Sequence, residues 1–267
     1  MISCIFVQYQ EKTCKTMLTS QRKQTILQLL AQDGQVLAAP LAASFGVSED
    51  TIRRDLRELA AEGLLQRVHG GALPASSAVA SFSERRALES SGKRAIGIAA
   101  ASMIAPGQIV IIDGGTTSAE LVKHIPRTLS ATVVTHSPTV AVALVDHPSI
   151  DVIMIGGRLY KHSIVNVGAA AIEAMSHIHA DLYFMGVTGV HPTAGLSTGD
   201  LEEAYVKRAL AARAAETVVL ASMDKLNAAS AYSIGEVTLA QTIVVERETD
   251  TTLTDALEAA GVSVLRA

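Results

Sequence analysis

Tryptophan is absent, and four phenylalanines and five tyrosines bring the aromatic share to only 3%. A core must then be packed with aliphatic side chains, which suits an α/β protein rich in alanine, valine and isoleucine. Cysteine is almost as scarce. Cys4 and Cys14 are the only two, and both fall within the first sixteen residues. The rest of the chain can hold neither a structural disulfide nor a cysteine zinc site, as expected in a reducing compartment. No apolar run approaches the roughly 20 residues that span a bilayer. The start has no basic stretch, and Ile5, Phe6 and Val7 are too few to form a signal peptide, so a cytoplasmic protein is expected. There is no large excess of either charge: the formal net charge is −4. The molecule as a whole is therefore not an electrostatic trap for nucleic acid.

The chain does have enough length, 267 residues, for two domains with a sizeable core in the larger. The first is organised around residues 47–72, VSEDTIRRDLRELAAEGLLQRVHGGA. Ser48 can cap a helix by accepting a first-turn N–H. Ile52, Leu56 and Leu59 recur at helical spacing and form an apolar stripe. Asp50, Arg54 and Arg57 fall opposite that stripe, with Arg53 on its flank. Gly63 can end the helix. Residues 64–68 then read as a strand, Gly70-Gly71 as a turn into a second strand, and Arg67 and His69 stand on the resulting wing. Before this come a helix over 21–30 with Ile26, Leu27 and Leu30 on its buried face, a short helix over 40–45, and Gly46 at the reversal. Three helices and a wing in this order make a winged helix-turn-helix, whose second motif helix enters the DNA major groove. A small helical bundle with a solvated charged face is the competing reading, and the order of cap, turn and wing favours the DNA-binding one. Over residues 17–74 six cations (Arg22, Lys23, Arg53, Arg54, Arg57, Arg67) meet six anions (Asp33, Glu49, Asp50, Asp55, Glu58, Glu62). Strong non-specific binding depends on phosphate neutralisation, so recognition by a few placed side chains is expected instead.

Residues 75–92 open with a small, polar run, ASSAVASFS, and read as a linker with a short connecting helix at 84–88. From residue 93 onwards apolar strands alternate with helices. Strands are expected at 108–113, 131–135, 151–157, 180–187, 217–221, 242–246 and near the end. Helices are expected between them, the strongest over 200–215. This alternation predicts a parallel sheet covered on both faces, a Rossmann-like α/β domain over 93–267. The loop DGGTTS, Asp113 to Ser118, follows a buried strand and opens a helix. The N–H groups of Gly115, Thr116, Thr117 and Ser118 would point from the helix N-terminus, where an anion is favoured. Three hydroxyls add donors. The pattern suits a phosphate cradle, and equally a tight, capped turn with no ligand. It is neither G-x-G-x-x-G nor a Walker loop, which argues against dinucleotides and nucleoside triphosphates. Thr135-His136-Ser137, Gly156-Gly157-Arg158, residues 186–189 and Asp224-Lys225 follow later strands, and ligands of open α/β sheets bind at such ends. Lys225 could neutralise a phosphate. Arg158 reads as a surface or interface residue, and Glu203 with Lys207, four apart on a helix, as a solvated ion pair. His177 and His179, two apart without acidic or cysteine partners, do not read as a metal site. No metal or organic cofactor is expected.

The run T-I-R-R-D-L, G-L-L-x-R, H-G-G-A resembles the N-terminal signature of DeoR-type bacterial transcriptional regulators. IIDGGTTSAEL, VVTHS, VIMIGGRL, ADLYFMGVTGV, GLSTGDLEEAYVKRAL and VVLASMDK resemble successive motifs of that family's sensor domain, so the likeness covers nearly all of residues 17–246. Residues 1–16 match nothing in the pattern and read as a disordered extension, or as the product of an upstream start codon. The resemblance implies a sensor domain related to ribose-5-phosphate isomerase and CoA transferase folds. It also implies a phosphorylated sugar or related metabolite as effector, and relief of repression of carbohydrate genes on binding. Carried over, it puts Asp113, Gly115, Thr116, Thr117, Ser137 and Lys225 in the effector pocket. Ser118 and His136 complete the expected set. His136 stands where the family usually has asparagine, Ser222 where it often has aspartate, and Val245-Glu246-Arg247 replaces its late I-T-D.

The expected function is that of a DNA-binding regulator, most simply a repressor, controlled by a phosphorylated metabolite. Ser48, Thr51, Arg53, Arg54, Arg57, Arg67 and His69 are the expected DNA contacts, and a homo-oligomer, dimer or tetramer, is expected from half-site geometry. The alternative is a sugar-phosphate isomerase. That needs an acid–base pair near the sugar carbons, and the stretch MGVTGV supplies no carboxylate where related isomerases look to have an acidic run. An enzyme is therefore not expected.

Overall fold

The computed structural model describes residues 17–76, 82 and 91–267. The chain divides into two units at Pro74 and Ala75. The first unit runs α1 (Thr19–Asp33), β1 (Val36–Leu37), α2 (Ala38–Phe45), α3 (Glu49–Ala61), β2 (Leu65–Val68) and β3 (Gly71–Pro74). Ser48 caps α3, its hydroxyl accepting from the Thr51 N–H at 3.2 Å. Ile26, Leu30, Leu41, Ile52, Leu56, Leu59 and Leu65 bury together into one small core. The strands form an antiparallel sheet in the order β1-β3-β2, with Arg67 opposite Ala72 in the β2–β3 hairpin. β2 and β3 are the expected wing, and β1 adds a short third strand that residues 36–37 did not announce.

Beneath α3 lies a feature that charge counting hides. Asp55 is fully buried and Arg22 nearly so, and the guanidinium grips the carboxylate with two hydrogen bonds, of 2.5 and 3.1 Å. One of the six cations and one of the six anions of this unit are thus internal, and neither is offered to a ligand.

The second unit is built on a parallel seven-stranded sheet. It contains α4 (Ser91–Ser102), β4 (Ile109–Ile112), α5 (Thr116–Lys123), β5 (Ala131–Thr135), α6 (Pro138–Ala143), β6 (Ile150–Met154), β7 (Arg158–Tyr160), β8 (Val165–Val167), α7 (Ala169–Met175), β9 (Ala180–Gly186), β10 (Gly189–His191), β11 (Gly195–Thr198), α8 (Leu201–Ala211), β12 (Ala214–Leu220), β13 (Tyr232–Gly235), β14 (Thr242–Val245), α9 (Thr251–Ala259) and β15 (Ser263–Arg266). The sheet order is β15-β14-β12-β9-β4-β5-β6. Side chains alternate across a strand, so a sheet covered on both faces needs apolar residues at successive positions. β9 does this: Leu182 and Phe184 enter one core cluster, Tyr183 and Met185 the other.

Two antiparallel additions, β7 with β8 and β10-β11-β13, were not foreseen. Within the segment expected to be a linker, Ala75 bridges Ala229, the Ser76 hydroxyl donates to the Thr188 carbonyl and the Phe82 N–H donates to the His162 carbonyl. Ser91 and Gly92, also assigned to the linker, form the first turn of α4. The connecting helix expected at 84–88 and the extension at 1–16 lie outside the described residues. Among the described residues, no helix is long and apolar enough to cross a membrane.

Candidate DNA-binding face and effector cleft

On α3 the buried residues are Ile52, Asp55, Leu56 and Leu59. Arg53, Arg54 and Arg57 are exposed. Arg53 meets Glu49 at 2.8 Å, Arg54 meets Glu58 at 3.5 Å, and Arg57 has no ion-pair partner among the described residues. Ser48 and Thr51 share a hydroxyl hydrogen bond of 2.9 Å at the helix start. Arg67 on β2 and His69 in the β2–β3 turn are also exposed. All seven residues expected at DNA thus lie at the N-terminus or on the exposed side of α3, or on the wing. The arginines' partners are acidic side chains of the same helix near solvent, Glu49 and Asp50 for Arg53 and Glu58 for Arg54, and such pairs are weak and readily exchanged for phosphate or a base edge.

In the second unit a small, partly open cleft lies at the carboxyl ends of the strands. One side is the loop from Gly114 to Ser118 and the start of α5. Gly115 holds φ at 119°, a conformation that an L side chain rarely adopts. Gly186, at the end of β9, lies so close to the loop that a Cβ there would come within 2.8 Å of the Gly114 carbonyl oxygen. Lys225, on a 3-10 turn (Met223–Lys225), is buried and reaches the Thr117 hydroxyl at 3.3 Å. Gly115, Thr116, Thr117, Ser118 and Lys225 therefore all line the cleft, together with Val187, Thr188 and Gly186.

Asp113, His136 and Ser137, also expected as effector contacts, are not among the residues that line it. Asp113 is fully buried behind the loop. One of its carboxylate oxygens accepts from the Gly114 N–H at 2.7 Å and from His136 Nε2 at 2.6 Å. The other accepts from Lys207 Nζ at 2.5 Å, the Gly186 N–H at 3.0 Å and the Tyr183 hydroxyl at 3.2 Å. A carboxylate has about four lone-pair sites, so nothing remains for a ligand. Burial by itself would raise this carboxyl, but the Lys207 ammonium and the His136 hydrogen bond outweigh it and hold Asp113 well below the usual carboxylate range. His136 Nδ1 also meets the Asn166 carbonyl at 2.8 Å. Both ring nitrogens are thus engaged inside the protein. The Ser137 hydroxyl bonds Thr139 at 2.9 Å and Ile164 at 3.3 Å. Gly156, Gly157 and Arg158 are exposed and take no part in the lining.

What the sequence reading placed on the surface is instead inside. Lys207 and Glu203 both line the cleft while remaining buried. Lys207 bridges Asp113 and Glu203, the latter at 3.3 Å. Glu203 also accepts from the Thr198 hydroxyl at 3.0 Å and from Ser163 at 3.5 Å. Desolvation would lower the Lys207 ammonium, but its two carboxylates raise it further, so it stays charged. A signal for this was present: on the wheel of α8, Glu203 and Lys207 share the face of Ala204, Leu210 and Ala211, all buried.

A winged helix-turn-helix unit with arginines on its exposed helix face, followed by a parallel α/β unit with a glycine-, hydroxyl- and lysine-lined cleft, defines a ligand-responsive DNA-binding regulator. Residues 22–78 match the DeoR-like helix-turn-helix domain, and residues 88–247 match the DeoR C terminal sensor domain. The chain belongs to the DeoR family of transcriptional regulators. It is 32% identical to the HTH-type transcriptional regulator GlpR of Haloferax volcanii, over 93% of this chain and 98% of that one. It is 31% identical to the HTH-type transcriptional repressor GlcR of Bacillus subtilis, over 93% and 96%. Among solved structures, ribose 5-phosphate isomerase A from Methanocaldococcus jannaschii is similar over 50% of this chain and 53% of that one, at 16% identity and a TM-score of 0.38. The protein is a DNA-binding regulator, as its relatives are, and not an isomerase.

Proposed function

We propose that this regulator represses genes of carbohydrate metabolism and is controlled by a phosphorylated sugar or related metabolite bound in the cleft of its second unit. The observation that carries this reading is the junction of the Gly114–Ser118 loop with Lys225, where helix-start N–H groups, three hydroxyls and an ammonium converge on one partly open space. Such a junction favours a phosphate. The names of relatives agree, GlcR being described as a repressor. The test is a thermal-shift screen against sugar phosphates and their unphosphorylated parents. A ligand that binds only the folded state raises the melting temperature by mass action. A shift with a phosphorylated compound and none with its parent is the expected result; no shift with any of them rejects the cleft as an effector site.

At DNA, Arg53, Arg54, Arg57 and Thr51 are assigned to the major groove, Ser48 to the helix start beside the phosphates, and Arg67 and His69 to the backbone or groove edge from the wing. Arg54→Ala is expected to weaken operator binding by about 1–3 kcal/mol if the side chain reads a base edge. Unchanged binding of the variant in a mobility-shift titration removes that assignment. A cytoplasmic homo-oligomer fits both tasks. β6 is the outer strand of the large sheet and exposes Ile153 and Met154, while Val142 and Val145 just before it are exposed as well. Exposed apolar side chains on an open strand edge suit contact with a second copy. Light scattering of Ile153→Glu is expected to report a smaller particle than the unaltered protein does.

A further inference from the structure

The cleft carries two chemically different groups of side chains. The Gly115–Ser118 loop and Lys225 are the phosphate-like end, and they are accounted for above. Glu203 and Lys207 are not. A buried carboxylate in a cleft taken to receive an anion is unexpected, because like charges repel strongly where water is scarce. Its surroundings explain how it is kept there. Lys207 Nζ lies between Asp113 and Glu203, and the Thr198 and Ser163 hydroxyls point at the Glu203 carboxylate.

Asp113 and Glu203 share the Lys207 ammonium, and His136 lies against Asp113 on the side away from Lys207. Asp113 and His136 are the two members shielded behind the loop. The two that line the cleft are Glu203 and Lys207. Of the three N–H donors on Lys207, two are taken by carboxylates, which leaves one for a ligand oxygen. The Glu203 carboxylate has lone pairs beyond those its three partners use. One acceptor-rich carboxylate beside one remaining ammonium donor is the complement of hydroxyl groups. It is not the complement of a second anion.

We propose that Glu203 and Lys207 select the non-phosphate end of the effector. They accept and donate to the hydroxyls of a neutral sugar or polyol phosphate, and they turn away the phosphorylated acid in which a carboxylate replaces a terminal hydroxyl or carbonyl carbon. The inference rests on the cleft being the effector site.

The test uses matched pairs of probes on the full chain: glycerol 3-phosphate with 3-phosphoglycerate, glucose 6-phosphate with 6-phosphogluconate, and inorganic phosphate alone. Calorimetric titration is expected to show the neutral member binding about tenfold or more tightly than its acid in any pair that binds, the scale on which a misplaced like charge discriminates. Glu203→Gln keeps the shape and removes the charge, and it turns one accepting oxygen into an NH2 donor. It is expected to bring that ratio close to one. Equal or tighter binding of the acid by the unaltered protein overturns the proposal without any variant, so it survives a failure of Glu203→Gln to fold. A ratio unchanged in a folded Glu203→Gln also overturns it. Absence of binding by every phosphorylated probe, inorganic phosphate included, overturns the effector cleft itself and this inference with it, a result distinct from binding without discrimination.

Discussion

Asp113 joins four elements through one side chain: it stands at the end of β4, receives His136 from the end of β5, Tyr183 and the Gly186 N–H from β9, and Lys207 from α8. Its carboxyl is held below the ordinary value of 3.8. The unfolded chain therefore takes up this proton at a higher pH than the folded chain does. The stabilisation is fully present above the ordinary carboxylate range and is lost as pH falls through and below it. Asp113→Asn removes that term. The difference in unfolding free energy between the unaltered protein and Asp113→Asn, measured by urea titration, is expected to be widest above about pH 5 and to shrink steadily below it. A difference that does not change with pH would mean that the carboxylate is not held in its charged form by these partners. At this scale the sequence was legible at the loop and obscure behind it. DGGTTS announces glycines and donors at a helix start. The i, i+4 spacing of Glu203 and Lys207 is the same for a solvated pair and for a buried one. What buries them is the fold, which carries Asp113 to Lys207 across 94 positions of sequence.

The elements themselves were easier to read, because each is governed by a short-range pattern. α3 has its cap at Ser48, its stripe at Ile52, Leu56 and Leu59, and its turn glycine at Gly63, and it forms over Glu49–Ala61. The seven parallel strands formed, and the central ones, such as β4 (IVII) and β9 (ADLYFMG), are largely apolar runs. The strands that went unread, such as β7 (RLY), β8 (VNV) and β10 (GVH), have only three residues each. That is too short for a period of two to show, and their pairing is set by neighbours distant in sequence. The Arg22–Asp55 pair belongs to this scale too, since it pins α1 to α3 from inside. Removing one partner of a buried pair leaves an uncompensated charge. Asp55→Ala is thus expected to destabilise the first unit by about 3–5 kcal/mol. Replacing both, Arg22→Met with Asp55→Leu, is expected to cost much less, since the charges leave together. Chemical denaturation followed by circular dichroism distinguishes the two. If the double variant is as unstable as the single one, the pair contributes through shape rather than charge.

For the molecule as a whole, the consequence is a linkage between two sites on two units. An effector can release DNA only if it binds the DNA-competent state more weakly than the other state, whatever the geometry that separates them. Thermodynamics then fixes a second result. If the effector lowers affinity for DNA by some factor, DNA must lower affinity for the effector by the same factor. Couplings of this kind commonly amount to about 5–150-fold. Two titrations check it: DNA selected by the protein from random duplexes, with and without saturating effector, and the effector with and without saturating DNA. Equal factors are expected. Unequal ones would show that the two titrations do not report on one closed cycle, for example because the oligomer changes size between them. The salt dependence separates the terms further. Arg22 is internal, and Lys23 is held between Glu58 and Glu62, so few cations per chain are left to displace counterions. The affinity for DNA should fall with salt along a shallow slope.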